Sequence, residues 1–203
     1  MANPGIRYAE IERETSETQL RVAIDLDGSG AGEIDTGIGF FDHMLTQIAC
    51  HGLIDLVVTG HGDLYVDEHH LIEDVGICLG KAVNKALGER RGIQRYGWAT
   101  VPMDESLAAV AIDFSGRPYL AFDAAFSRES VGLMPTEMVA EFFRAFSTHA
   151  AATLHIRLLS GENDHHKIEA IFKAFALALE QAVALHPRQK VAPSSKGILE
   201  TAE

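Results

Sequence analysis

One apolar helical stripe is written twice in this chain, and the copies lie 96 residues apart. From His69 to Leu87, apolar residues fall at Ile72, Val75, Leu79, Ala82, Val83 and Ala86. Steps of three and four residues mark a helix that buries one face. The positions 96 residues later are Ile168, Ile171, Phe175, Ala178, Leu179 and Ala182, again all apolar. Upstream, FFDHMLTQIACHGLIDLVVTG (40–60) is echoed by FFRAFSTHAAATLHIRLLSG (142–161). A chain duplicated in this way must fold as two like units that bury their helix faces against one another.

The periodicity predicts the elements of each unit. Val22, Ile24 and Leu26 alternate in LRVAIDLD (20–27), a strand pattern. DGSGAGE (27–33) is turn chemistry; it lacks the GxGxxG spacing of a phosphate cradle and leads into no helix, so it reads as a hairpin or tight connection. Helices are predicted over 38–50, 69–87, 136–152 (opening at Thr136) and 165–183. Strands are predicted over 53–60 and 153–161, with two more around SGRP within 107–126. Each half then reads strand(s), helix, strand, helix. The fold class is α+β, one domain of two pseudo-repeats, about 1–93 and 94–190, with a tail at 191–203.

Charge and composition narrow the function. The net charge is −12 and Lys plus Arg total 17, too few for a broad nucleic-acid face, which needs clustered cations to displace counterions. A few Arg and Lys in one pocket can still hold a small phosphorylated ligand. No apolar run is long enough to span a membrane, and MANPGIRYAEIERET lacks the apolar core of a signal peptide. The expected location is cytoplasmic. Cys50 and Cys78 lie in apolar stretches and read as buried free thiols.

Both long helices open on the same motif, His-His-x-x-Glu: His69, His70 and Glu73, then His165, His166 and Glu169. Residues three and four apart share a helix face, so each glutamate lies near both of its histidines. Adjacent histidines diverge by about 100°, which suits them to two metals rather than one. Imidazole nitrogen with carboxylate oxygen fits Mn, Fe, Co or Zn. A lone HxxE is usually a solvated pair; its duplication at two helix starts is what argues for metal. His43, in FFDHML, belongs to the echoed unit and joins the set. No histidine falls at the matching point of the second half, where Glu141 is the nearest carboxylate. His61 and His186 read as loop residues, His149 as surface, and His155 as a strand residue able to support a ligand.

Several segments, taken in order, resemble one family. They are RETSET (13–18), GIGFFDHMLTQIACHG (37–52), DEHHLIEDVGICLG (67–80), GIQRYG (92–97), PMDES (102–106), DFSGRPYL (113–120), EFFRAF (141–146), TLHIRLLSGENDHHKIEAIFKAFALAL (153–179) and PSSKG (193–197). Together they resemble imidazoleglycerol-phosphate dehydratases, enzymes of histidine biosynthesis, over nearly the whole chain. The resemblance implies four helices sandwiched between two four-stranded sheets, the ribosomal protein S5 domain 2-like fold. It implies a homo-oligomer of 24 subunits built from trimers, and two Mn ions per active site. The implied ligands are His43, His69, His70, Glu73, His165, His166 and Glu169. Where many relatives carry His before the Phe-Phe pair this chain has Glu141, itself a competent Mn donor. The resemblance also implies that Glu17 faces the substrate and that Arg95, Arg117, Ser195 and Lys196 grip its phosphate, the last two from the tail. The 203 residues leave no room for a fused phosphatase domain, which points to the monofunctional form.

The implied reaction removes water from D-erythro-imidazole glycerol phosphate to give imidazole acetol phosphate. Electrons from the imidazole ring expel the hydroxyl through a diazafulvene-like species, with the metals as Lewis acids and template and Glu17 as the acid–base shuttle. The metal-bound groups His43, Glu73 and Glu169 are counted with the catalytic set; His51, Asp42 and Asp104 are weaker candidates for proton relay or ligand orientation. Two other readings fit the histidines: a dinuclear metal phosphoesterase, and a non-catalytic metal-binding assembly.

Overall fold

The computed structural model describes residues 7–194. The first half contains β1 (Tyr8–Glu14), β2 (Thr18–Asp25), β3 (Gly32–Asp35), α1 (Gly39–Gly52), β4 (Asp55–Gly62) and α2 (His69–Leu87). The second contains β5 (Tyr96–Met103), β6 (Ser106–Asp113), β7 (Tyr119–Asp123), the short pair β8 (Ser130–Val131) and β9 (Met134–Pro135), α3 (Met138–His149), β10 (Thr153–Ser160) and α4 (Asp164–Val183). The two large sheets have the same order, β1-β2-β4-β3 and β5-β6-β10-β7. In each, a hairpin is followed by a strand–helix–strand crossover: β3 is parallel to β4, and β7 to β10. A parallel neighbour needs such a crossover, and α1 and α3 supply it. The duplicated α+β architecture follows from these two sheets and four helices.

The helices join the halves by pairing across the repeat. Within each half, α2 packs on β1 and β2, and α4 on β5 and β6. Between halves, α2 lies along α3 and α1 along α4. Gly76 and Gly80 make the α2–α3 contact close, since a Cβ on either would stand 2.7 Å from the carbonyl oxygen of Phe142 or Phe146. Phe41, Phe142, Phe143, Phe146, Phe172 and Phe175 fill the space between layers and are all fully buried. Their rings meet at centroid distances of 5.0–5.5 Å, mostly edge-on or tilted, the geometry that aromatic quadrupoles favour.

Several expected boundaries move, each for a local reason. β4 starts at Asp55 rather than 53, because Leu53 takes a left-handed conformation (φ 51°) that ends α1. The helix expected to open at Thr136 starts at Met138; the Thr136 hydroxyl donates instead to Arg128 O at 2.9 Å. The charged strand β1 and the four-residue β3 are too polar or too short to carry a strand period. His61 lies in β4, not in a loop, and His149 is half-buried at the end of α3 rather than on the surface. Cys50, expected to be buried, is exposed on α1; Cys78 is buried, and desolvation pushes its thiol up to about 11. The Asp55 carboxylate organises 27–33 as a tight connection by accepting from the amides of Ser29 (2.8 Å) and Ala31 (2.9 Å).

Arg90 is the one fully buried cation among the described residues. Burial lowers its pKa. Its guanidinium donates to Asn84 Oδ1 (2.6 Å) at the end of α2, to Phe114 O (3.1 Å) after β6, and to Ala150 O (3.0 Å) and Ala151 O (3.3 Å) after α3. It therefore ties the Asn84 side chain of the first half to the Phe114, Ala150 and Ala151 carbonyls of the second. Arg90→Met is expected to cost about 3 kcal/mol of unfolding free energy by leaving those acceptors unpaired. Arg91→Met, on an exposed residue, should change it by less than about 0.5 kcal/mol. Chemical denaturation of the two variants in parallel checks this.

Candidate active site

The α1–α4 pairing brings three chemical groups together. His43 on α1 and His165 on α4 place Nε2 atoms 3.5 and 3.2 Å from the same oxygen, Glu169 Oε2. All three donor atoms lie within 4.8 Å of one another. His165 and Glu169 are one helical turn apart, as the spacing predicted. Glu169 is buried, yet Lys173 Nζ sits 2.6 Å from its other oxygen. Burial alone would raise the Glu169 pKa; Lys173 and His43 outweigh it and hold the group below the usual carboxylate range. One oxygen is thus committed to Lys173, and the other faces the imidazoles. The Phe40 ring packs on His165 at 4.9 Å and shields one side of this cluster.

The second histidine of each motif is held differently. His70 Nδ1 lies 3.1 Å from both oxygens of Asp63, with Glu17 Oε2 next at 3.8 Å. His166 Nδ1 lies 2.8 Å from Glu105 Oε2. These carboxylates raise the pKa of both rings, the hydrogen bond to Asp63 or Glu105 being the main cause. Neither Asp63 nor Glu105 was singled out from the sequence, because each lies far from its histidine in the chain and only the fold brings it near. Lys173 was legible in principle, being four residues beyond Glu169 on a helix.

The remaining predicted donors are spread along the molecule. His69 is exposed, its ring edge-on to His70 at 6.2 Å. Glu73 is half-buried on α2, and Glu141 on α3 pairs with Arg144 at 3.1 Å. Of the eight predicted metal donors, three form a cluster among the described residues: His43, His165 and Glu169.

Glu17 sits in the turn between β1 and β2, which is fixed by side chains. Thr15 Oγ1 accepts from the amides of Glu17 (3.1 Å) and Thr18 (3.0 Å). The Thr18 hydroxyl donates to the buried carboxylate of Asp74, and Arg13 Nε lies 2.8 Å from that carboxylate's other oxygen, off the line of a true hydrogen bond. The Glu17 side chain itself is 51% exposed. Arg95 is buried and forked onto Asp113 at 2.6 and 3.0 Å, while its third nitrogen donates to Pro193 O at 2.8 Å. Its direct partners are thus the protein's own, and it anchors the segment leading to Ser195 and Lys196, which lie outside the described residues. Arg117 is exposed on the SGRP turn, its amide donating to Ser115 Oγ at 3.2 Å. Asp42 accepts from the Thr36 amide and hydroxyl at 3.0 and 2.6 Å, an orienting duty at the start of α1. His51 Nε2 bonds Gln47 Oε1 at 3.1 Å, and burial followed by Lys173 lowers its pKa. Asp104 takes φ 49° and reaches to 3.9 Å from His166 Nε2. His155 packs on Tyr119 at 6.1 Å, on the outer face of the second sheet.

Known proteins resemble this chain in sequence and in fold. The family model of imidazoleglycerol-phosphate dehydratase matches residues 36–179. The dehydratase of Moorella thermoacetica is 55% identical over 193 residues, covering 95% of this chain and 98% of the relative. That of Paracidovorax citrulli is 54% identical over 199 residues, covering 98% and 95%. The chain belongs to the imidazoleglycerol-phosphate dehydratase family. It is accordingly a hydro-lyase of histidine biosynthesis. Solved dehydratases have the same fold. The Staphylococcus aureus enzyme superposes with a TM-score of 0.80 at 42% identity, covering 88% of this chain and 99% of that one. The Pyrococcus furiosus enzyme, solved in complex with (S)-C348, gives 0.81 at 38%, covering 93% and 100%. No helix among the described residues is long and apolar enough to cross a membrane.

Asp164, the first residue of α4, ties the start of that helix to the segment at 127–128, while Asn163 Oδ1 caps it by accepting from the His165 amide at 2.9 Å. Asp164 is buried, and accepts from Ser127 N (2.8 Å), Ser127 Oγ (2.9 Å) and Arg128 N (2.7 Å), with Lys167 Nζ at 2.7 Å. Burial would raise its pKa, but Lys167 and these donors bring it down to about 2. A depressed carboxylate stabilises the fold above its unfolded pKa of about 4 and loses that contribution as pH falls toward about 2. Asp164→Asn is therefore expected to lose about 2 kcal/mol at neutral pH, with the gap to the parent closing between about pH 4 and pH 2. Denaturant unfolding of both proteins across that range checks it.

Proposed function

We propose that the chain dehydrates D-erythro-imidazole glycerol phosphate to imidazole acetol phosphate, using divalent ions, Mn foremost, bound by the histidine–glutamate motifs. The observation that carries this reading is the His43–His165–Glu169 cluster. Two imidazole nitrogens and one carboxylate oxygen, converging with Lys173 holding the other oxygen aside, match the donor preference of borderline divalent ions. His69, His70, Glu73, Glu141 and His166 are the remaining donors, and the divergence of the adjacent histidines divides them between this ion and a second. They are spread along this chain, which favours a site completed between copies in a homo-oligomer; 24 subunits built from trimers is the proposed assembly. The outer face of the second sheet supports contact between copies, since Trp98, Tyr119 and Leu159 are each more than half exposed there. The corresponding face of the first sheet carries Glu10, Glu12 and Arg21.

In the reaction, the hydroxyl leaves the carbon bonded to the imidazole ring and a proton leaves the next carbon, giving an enol that becomes the ketone. Bound ions would supply Lewis acidity at the ring and at the leaving oxygen. Glu17, exposed beside His70 on a turn locked by Thr15, Thr18 and Asp74, takes the carbon-bound proton and returns it as the hydroxyl departs as water. Arg117, with Ser195 and Lys196 of the tail, holds the phosphate, and Arg95 seats that tail through Pro193.

The test strips the protein of metal, restores Mn stepwise, and follows the enolised ketone and inorganic phosphate separately. Dehydration should return as about two ions bind per chain, with no phosphate released. Metal binding without dehydration would refute the reading, and released phosphate would point to a phosphoesterase. In the reconstituted enzyme, Glu17→Gln should lower kcat by about 10²- to 10⁴-fold without changing Mn binding. Arg117→Ala should raise KM about tenfold or more.

A further inference from the structure

The duplication sets Glu105 in the place of Glu17. Asp25 faces Asp55 across β2 and β4, and Asp113 faces Thr153 across β6 and β10. That register superposes Thr18 on Ser106 and Glu17 on Glu105, an offset of 88 residues. Each glutamate lies in the turn joining the first two strands of its sheet, and each reaches toward the second histidine of its own half's motif. Glu17 stops 3.8 Å from His70 Nδ1, because Asp63 already holds that nitrogen at 3.1 Å. Along β4 and β10 the bulge between Leu158 and Ser160 advances the register by one, so Gly161 is the counterpart of Gly62 and Glu162 that of Asp63. In this half His166 Nδ1 is held not by that counterpart but by Glu105 Oε2, at 2.8 Å. The other oxygen of Glu105 accepts from the amides of Glu162 (3.1 Å) and Asn163 (2.7 Å) and from the Ser106 hydroxyl (3.2 Å).

We propose that Glu105 is a positioning residue, the repeat counterpart of Glu17, that keeps the proton of His166 on Nδ1 and so presents Nε2 to a divalent ion. In the first half Asp63 does this for His70, which leaves Glu17 free for proton transfer. The inference rests on the metal reading given above. A neutral imidazole donates from one nitrogen and accepts at the other. An ionised carboxylate can only accept, so it fixes which nitrogen keeps the lone pair for the ion. Both oxygens of Glu105 are engaged, and it is therefore unsuited to shuttle protons itself.

The test is Mn binding by the full chain, read from the electron paramagnetic resonance signal of free Mn, in the parent, Glu105→Gln, Asp63→Asn and Glu162→Gln. In Glu105→Gln the amide oxygen can still accept from Glu162 and Asn163. Its NH₂ then faces His166 Nδ1 and favours the proton on Nε2. The parent is expected to bind two ions per chain, and Glu105→Gln to weaken one of them by about 10- to 100-fold while sparing the other. Asp63→Asn should weaken one ion likewise, and Glu162→Gln neither. If Glu105→Gln does not fold, Glu105→Asp, whose arm is too short to span both contacts, carries the same expectation. Unchanged binding in Glu105→Gln, or equal loss of both ions, overturns the proposal and leaves the two-ion reading standing. A parent that binds no Mn overturns both.

Discussion

The cross-pairing of helices between the halves is the constraint on which the rest depends. Each half buries one face of its helices on its own sheet and must find a cover for the other. The cover is a helix of the opposite half: α3 for α2, α4 for α1. This arrangement makes a single core from two repeats. It also explains why His43 meets His165 and Glu169 although more than a hundred residues separate them. Metal-type donors on one helix of each half become one cluster because burial of apolar surface brings those two helices together.

That core has charged groups pressed into its rim, and each is matched. Glu169 has Lys173, Asp164 has Lys167, and Asp74 has Arg13 and the Thr18 hydroxyl. A buried carboxylate without such partners would take up a proton rather than stay ionised. The partners have a second effect, which is directional. They occupy one oxygen and leave the other aimed at a histidine, a turn or a helix start. The charges near the candidate site are thus held in orientation by the same contacts that make their burial tolerable.

Much of this was legible in the sequence. Helical periodicity marked the four helices, and the repeated stripe marked the apolar faces of two of them, since a helix with one buried side must show a 3.6-residue period. The paired HHxxE motifs located both helix starts, and the Glu169–His165 contact follows from helical spacing alone. The strands β1, β3 and β5 were missed for physical reasons. β1 is half-exposed and studded with charge, and β3 has four residues, so neither has a period long enough to detect; β5 is uncharged, but its outward Tyr96 and Trp98 are as apolar as its inward Ala99 and Val101, which erases the alternation. Asp63 and Glu105 were missed because their partners are set by turns and register rather than by spacing. Arg90 reads in sequence as one more surface cation in GERRG, and only the acceptors of three separate segments, the Asn84 side chain and the Phe114 and Ala150 carbonyls, show why it is inside.

The same packing explains why the two halves are not equivalent at the site. Aligning Phe40-Phe41 with Phe142-Phe143 sets His43 against Ala145. Ala145 lies under α2, where a Cβ added to Gly76 would stand 2.9 Å from the Ala145 Cβ. An imidazole cannot occupy so close a contact, so α3 cannot carry a donor there without forcing α2 away. Glu141, one turn earlier and half-buried, is the nearest position at which α3 can offer a carboxylate. The tight glycine contact that locks the halves together on one side thus leaves no room there for the histidine that α1 carries on the other. Duplication gives both halves the HHxxE motif, and the close contact of α2 with α3 makes their surroundings different.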